Sequence, residues 1–284
     1  MINALLIISV VIGLSLQQIT KKTYNKKTTG KGVFCFSAFS SLVAAIFFVF
    51  QIKLPFKFDL ALIPYALLFG LGYGACTVCS VFAIFSGSLS LTSLITSYSL
   101  IIPTVYGMIF LKEKIGPFLI VGVVLLLISL FLINYVKGDN KISLKWLFYV
   151  TVAFLANGVC STVQKVQQVD FFGKYKAEFM VVSLLIVVLA LVITAFFTEK
   201  KEIALSIKKG YLPIAICGIA NGVVNLFVMM LSTRMSASVM FPLVSAGSII
   251  LTYFISRIWY KEKLNTMQNI GFIFGVASVV FLNL

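Results

Sequence analysis

The chain has 284 residues, of which 61% are hydrophobic and 11% charged, and its mean hydropathy is +1.09. A water-soluble domain carries about 25% charged residues, so one water-facing globule is excluded and a polytopic membrane protein is indicated. The net charge of +15 would suggest nucleic acid on a soluble protein; here it falls in short loops, where it orients the chain and touches anionic lipid headgroups, and nucleic acid is not expected as a partner.

Ten apolar stretches are long enough to span a bilayer as helices: about 2–20, 33–52, 60–85, 89–111, 116–136, 144–164, 177–197, 211–231, 237–259 and 266–283. The first lacks a basic leader and exceeds the apolar core of a signal peptide, so it reads as a spanning helix. It carries Gln17 and Gln18, and a loop rich in lysine follows: Lys21, Lys22, Lys26, Lys27 and Lys31. The third stretch holds Gly70-x-x-x-Gly74 and a polar face of Tyr73, Thr77 and Ser80 at i, i+4 and i+7. The fourth has Ser93, Thr96, Ser97, Tyr98 and Thr104, with Pro103 inside the helix inviting a kink. The sixth places Asn157, Ser161 and Gln164 on one face, with Lys165 next to the last. The eighth has Gly218-x-x-x-Gly222 and Asn221 and Asn225 one turn apart, and the ninth has Pro242, Ser245, Ser248 and Thr252.

The stretches nearly exhaust the chain, leaving no room for a soluble catalytic domain, and no G-x-x-x-x-G-K-[ST] phosphate loop is present. The five cysteines (Cys35, Cys76, Cys79, Cys160 and Cys217) all lie in apolar stretches and the chain has no histidine, so they read as packing residues, with no metal site, cofactor or disulfide framework implied. Odd-numbered loops hold 15 of the Lys and Arg residues and even-numbered loops 8. The positive-inside rule then puts the odd loops in the cytoplasm and both termini outside.

The most informative feature is a duplication. Residues 88–134 align without a gap on residues 237–283, at an offset of 149. The charged turn LKEK falls on YKEK, Gly122 on Gly271, Ser129 on Ser278 and Asn134 on Asn283. A duplicated unit with an odd number of spans must insert its two copies in opposite orientations, the inverted-repeat logic of transporters. The expected architecture is an all-α polytopic membrane protein of ten transmembrane helices, built as two inverted five-helix repeats, residues 1–137 and 143–284, joined by the polar linker KGDNKIS at 137–143.

Two sets of five helices, each with a Glu-containing turn (Glu113, Glu262) followed by a Gly in the next helix (Gly122, Gly271), resemble the EamA family of the drug/metabolite transporter superfamily. The resemblance implies a ten-helix transporter in a cell membrane. Helices 1–4 and 6–9 surround a substrate cavity, and helices 5 and 10 support it. Characterised members export amino acids or other metabolites, and relatives move nucleotide sugars or cationic drugs. Two departures stand out. The first stretch lacks the membrane-embedded Glu that small multidrug relatives use for protons and drugs, and the lysine count gives the opposite orientation to the family's usual one. Glu113 and Glu262 begin helices 5 and 10, where a carboxylate suits the helix dipole, and read as structural.

None of the acidic residues Asp59, Glu113, Asp139, Asp170, Glu178, Glu199, Glu202 and Glu262 is at the centre of a stretch, so neutral polar side chains are left to bind a substrate. An amide facing hydrocarbon costs several kcal/mol, so the polar faces should turn toward the bundle or water. The candidate substrate-binding residues are Gln17, Tyr73, Thr77, Tyr98, Asn157, Ser161, Lys165, Asn221, Asn225 and Ser245. Serines and threonines also bond back to their own helix carbonyls. Lys165 pairs with a substrate carboxylate or phosphate if its helix encloses it, and snorkels to the interface if the helix has ended. The reading is a secondary transporter of a small polar metabolite. A channel or a partner subunit is the alternative, and a lipid-modifying enzyme would need an acid, base or metal cluster that the sequence lacks.

Overall fold

The computed structural model describes residues 2–52, 56, 58–112, 118, 121–122, 124–125, 128–129, 132, 143–261 and 265–281. The described regular structure is entirely helical: α1 (Ile2–Thr28), α2 (Val33–Val49), α3 (Ile63–Ser86, preceded by a 3₁₀ turn at Leu60–Leu62), α4 (Leu89–Tyr98), α5 (Ile101–Phe110), α6 (Leu144–Asp170), α7 (Lys176–Thr198), α8 (Ile203–Ser232), α9 (Ala237–Trp259) and α10 (Thr266–Phe281). Among the described residues, seven segments are long and apolar enough to cross a bilayer. Their outward faces carry large apolar side chains such as Leu5, Ile8 and Ile12 on α1 and Leu189, Ile193 and Phe197 on α7, as expected where lipid, not water, is the solvent. Glu113 and Glu262 of the charged turns, Asp139, and the linker at 137–142 lie outside the described residues.

Two helices run further than their apolar stretches. α1 continues eight residues beyond residue 20, to Thr28, so Lys21, Lys22, Lys26 and Lys27 are helical and only Lys31 is left in the loop. α6 continues past residue 164 to Asp170. In both cases the apolar window stops at a lysine, and the helix does not. The fourth stretch, read as one helix, is two. Pro103 has no N–H to offer the Ser99 carbonyl and its ring crowds that carbonyl, so α4 ends at Tyr98 and α5 restarts at Ile101. The Ser99 carbonyl is taken instead by the Ile102 N–H at 3.0 Å. Pro242 leaves α9 unbroken; it sits in the second turn, near the helix start.

The same turn closes α1 and α6. Thr29 and Gly30 have φ of 53° and 75°, and Phe172 and Gly173, 143 residues later, have 52° and 74°. The Gly30 N–H bonds the Asn25 carbonyl at 3.1 Å, and the Gly173 N–H bonds the Gln168 carbonyl at 2.8 Å, a Schellman closure in each case. The correspondence extends to left-handed residues before the next helix, Gly32 and Tyr175. It also includes side-chain bonds across the turn: Tyr24 Oη to the Lys31 carbonyl and Gln167 Nε2 to the Lys174 carbonyl.

Helix pairing has the same internal correspondence. α3 packs on α6 as α1 packs on α8, α8 packs on α2 as α3 packs on α7, and α1 packs on α9 as α4 and α5 pack on α6. Glycines set the close approaches. A Cβ on Gly218 would lie 2.6 Å from the Ser40 carbonyl of α2, and one on Gly70 would lie 3.1 Å from the Ser183 carbonyl of α7. Small residues let backbones approach in a medium where no hydrophobic effect drives helices together. Direction follows from two contacts. The C-terminal end of α1 meets the N-terminal end of α8 through Tyr24 and Ser206, whose hydroxyls are 2.9 Å apart. The C-terminal end of α6 meets that of α8, where Lys165 Nζ donates to the Ser232 carbonyl at 3.0 Å. α1 and α6 therefore run in opposite directions.

Candidate functional site

α1, α3, α4, α6, α8 and α9 enclose a cavity of about 100 Å³, room for several waters or a compact metabolite. Its wall is formed by the polar faces read from the sequence. α1 contributes Gln17, Gln18 and Lys21; α3 Tyr73, Thr77 and Ser80; α4 Ser93, Thr96 and Ser97; α6 Asn157, Ser161 and Gln164; α8 Asn221 and Asn225; and α9 Ser248 and Thr252. Apolar side chains close the remainder, among them Phe69, Val228 and Phe241. Helical periodicity explains the gathering: residues four and seven apart fall on one face, and that face turns inward because an amide in lipid has no partner.

Three amides on α6 and α8 form a directed chain. Asn225 Nδ2 donates to the Asn221 backbone carbonyl at 2.9 Å, which fixes the orientation of the Asn225 amide. Its Oδ1 is then free to accept from Gln164 Nε2, at 2.7 Å, and its Nδ2 also reaches Asn221 Oδ1. The chain ends at Asn221 Nδ2, a buried donor without a hydrogen-bond partner among the described residues. Asn157 belongs to a second set. Its Nδ2 donates to Ser99 Oγ at 2.6 Å, and Ser99 Oγ donates to the Thr96 carbonyl at 2.5 Å, so α6 holds the broken segment between α4 and α5. Cys76, read as a packing residue, lies on the wall, its Sγ 3.9 Å from Asn157 Oδ1. Tyr73 stacks on Phe69 with ring centroids 5.6 Å apart. Thr77 donates its hydroxyl proton to the Tyr73 carbonyl of its own helix, at 2.8 Å.

The structure thus brings together Gln17, Tyr73, Thr77, Asn157, Ser161, Asn221 and Asn225. Three candidates lie off the wall. Tyr98 is 1% exposed and shares its hydroxyl with Ser129 Oγ at 2.7 Å, which in turn donates to the Gly271 carbonyl of α10. Ser245 donates to the Ser97 carbonyl at 2.9 Å. Lys165 neither snorkels nor enters the cavity: it is 4% exposed, and its ammonium donates to the carbonyls of Ser232 and Met235, each at 3.0 Å. It caps the carbonyl end of α8, where a cation suits the helix dipole.

Lys21 is the wall residue that the sequence reading omits. A lysine ends the apolar window and so falls in the expected loop, yet Lys21 is 7% exposed and lines the cavity. The signal that identifies it is positional: Leu14, Gln17, Gln18 and Lys21 continue one helical face.

A model described as the EamA-like transporter family matches residues 142–284. A solved structure described as "Crystal structure of protein" superimposes with a TM-score of 0.68 at 10% sequence identity, over 98% of this chain and 94% of that one. That likeness concerns the fold alone. No curated protein matches the chain.

Proposed function

The chain belongs to the EamA-like transporter family, and from that premise we propose that it is a secondary transporter of a small polar metabolite, working by alternating access between two inverted five-helix halves, residues 1–137 and 143–284. The observation that carries the reading is the polar cavity of about 100 Å³, walled by α1, α3 and α4 from one half and by α6, α8 and α9 from the other. The inverted arrangement is supported by the opposed run of α1 and α6, the α1–α2 turn repeated at α6–α7, and helix pairings that survive exchange of the halves. Inverted repeats allow one structure to open to either side by rocking one half against the other around a fixed site.

Gln17, Tyr73, Thr77, Asn157, Ser161, Asn221 and Asn225 supply the substrate contacts in this reading. Tyr98, Lys165 and Ser245 hold the surrounding helices. The protein resides in a cell membrane as a multi-pass chain, meets lipid on its outer faces, acts as a carrier and not an enzyme, and needs no cofactor. Purified protein in sealed liposomes should take up at least one compound from a broad metabolite panel with saturable kinetics. Asn225→Leu, which breaks the amide chain, should lower that uptake at least tenfold. Uptake that rises linearly with concentration and ignores Asn225 would instead mark a channel.

A further inference from the structure

The charge inside the cavity is one-sided. Among the described residues, Lys21 Nζ has no hydrogen-bond or ion-pair partner and no acidic side chain lines the wall. The described carboxylates are elsewhere, at helix ends: Asp59 caps the turn before α3, Asp170 accepts from Tyr65 Oη at 2.6 Å, and Glu199 accepts from the Cys35 N–H at 3.0 Å. Lys21 is an electrostatic neighbour of Cys76 and of Cys217, the latter one helical turn before Asn221. At the offset of 143 that relates the α1–α2 turn to the α6–α7 turn, Lys21 corresponds to Gln164. That glutamine starts the amide chain ending at the unpartnered Asn221 Nδ2. One half therefore offers an ammonium where the other offers an amide; Lys21 and Asn221 line one cavity, whose wall also carries the unpartnered acceptor Gln18 Oε1.

An ammonium that faces a cavity with no counter-charge on its wall favours an anion that accepts its hydrogen bonds. Resting on the transporter reading above, we propose that the substrate is a small monocarboxylate whose charged oxygens are bound by Lys21 Nζ and Asn221 Nδ2. One positive charge balances one negative charge. A phosphate dianion would leave an excess negative charge in the cavity, a zwitterion would bring an ammonium that meets only the neutral acceptor Gln18 Oε1, and a cation would be repelled.

The test is thermal stabilisation of the purified full chain, read beside uptake into liposomes. The probes are lactate, its uncharged isostere lactamide, alanine, inorganic phosphate and tetraethylammonium, together with a wider set of monocarboxylates and their amides. A monocarboxylate should bind saturably and its amide about 10- to 100-fold more weakly. Lys21→Gln should erase that difference while Lys21→Arg retains it. Because the acid–amide comparison uses the wild-type chain, it stands even if Lys21→Gln does not fold. Uptake of neutral, zwitterionic, phosphate or cationic probes in preference to every monocarboxylate would overturn this assignment and leave the transporter reading intact. Saturable uptake of no compound, with no stabilisation by any, would overturn both.

Discussion

Two lysines with the same sequence context, each at the end of an apolar window, have different fates. Lys165 bonds two carbonyls at the end of α8, at 3.0 Å each, whereas Lys21 faces the cavity. Lys165→Met keeps much of the stem but leaves the Ser232 and Met235 carbonyls short of a donor, at a cost of about 1–3 kcal/mol. The variant should melt at a lower temperature in detergent and keep the same ranking of ligands. An altered ranking at an unchanged melting temperature would show that Lys165 serves the substrate instead. The asparagines and glutamines were legible from sequence because an amide has few ways to satisfy itself in lipid, so an amide face must turn inward. The lysines were not legible: a charge marks the edge of a hydropathy window whether the helix ends there or turns a polar face to water inside the bundle.

At the scale of the helix, the glycine motifs differ in kind. On α8, a Cβ at Gly218 would meet backbone at 2.6 Å, while on α3 a Cβ at Gly74 would meet only Val187, at 3.9 Å. Gly218→Ala should therefore push α8 from α2 and lower thermal stability. Gly74→Ala should be neutral or slightly stabilising, since alanine favours the helix by about 1 kcal/mol. Equal losses from both would mean that the motif, and not the local approach, governs packing. Pro103 was readable as a helix-disturbing residue, but the size of its effect was not. Whether a proline bends or breaks a helix depends on whether neighbours take up the freed groups; here the Ile102 N–H takes the Ser99 carbonyl and the Ser99 hydroxyl, held by Asn157, takes the Thr96 carbonyl. Pro103→Ala restores the missing N–H opposite the Ser99 carbonyl. It should raise the melting temperature and slow saturable uptake, if bending between α4 and α5 belongs to the cycle. Faster uptake would assign the break a purely static role.

Across the whole molecule, the duplication at offset 149 predicts two related halves, while the α1–α2 and α6–α7 correspondence at offset 143 has little counterpart in side-chain identity. What the two turns share is backbone conformation, with Thr29 and Gly30 standing where Phe172 and Gly173 stand, and side-chain identity carries little of that. The α1–α2 and α6–α7 segments are alike in backbone at their turns and unlike in charge, and the difference at Lys21 reaches beyond recognition. With a monocarboxylate bound, the fixed site is neutral; when empty, the change of access shifts part of the transmembrane electric field across the charge of Lys21, where 100 mV is worth about 2.3 kcal/mol for a full elementary charge. A potassium gradient with valinomycin across the liposome wall should therefore alter net uptake, which needs the empty return step. Exchange between identical pools inside and out never returns empty and should be indifferent to voltage.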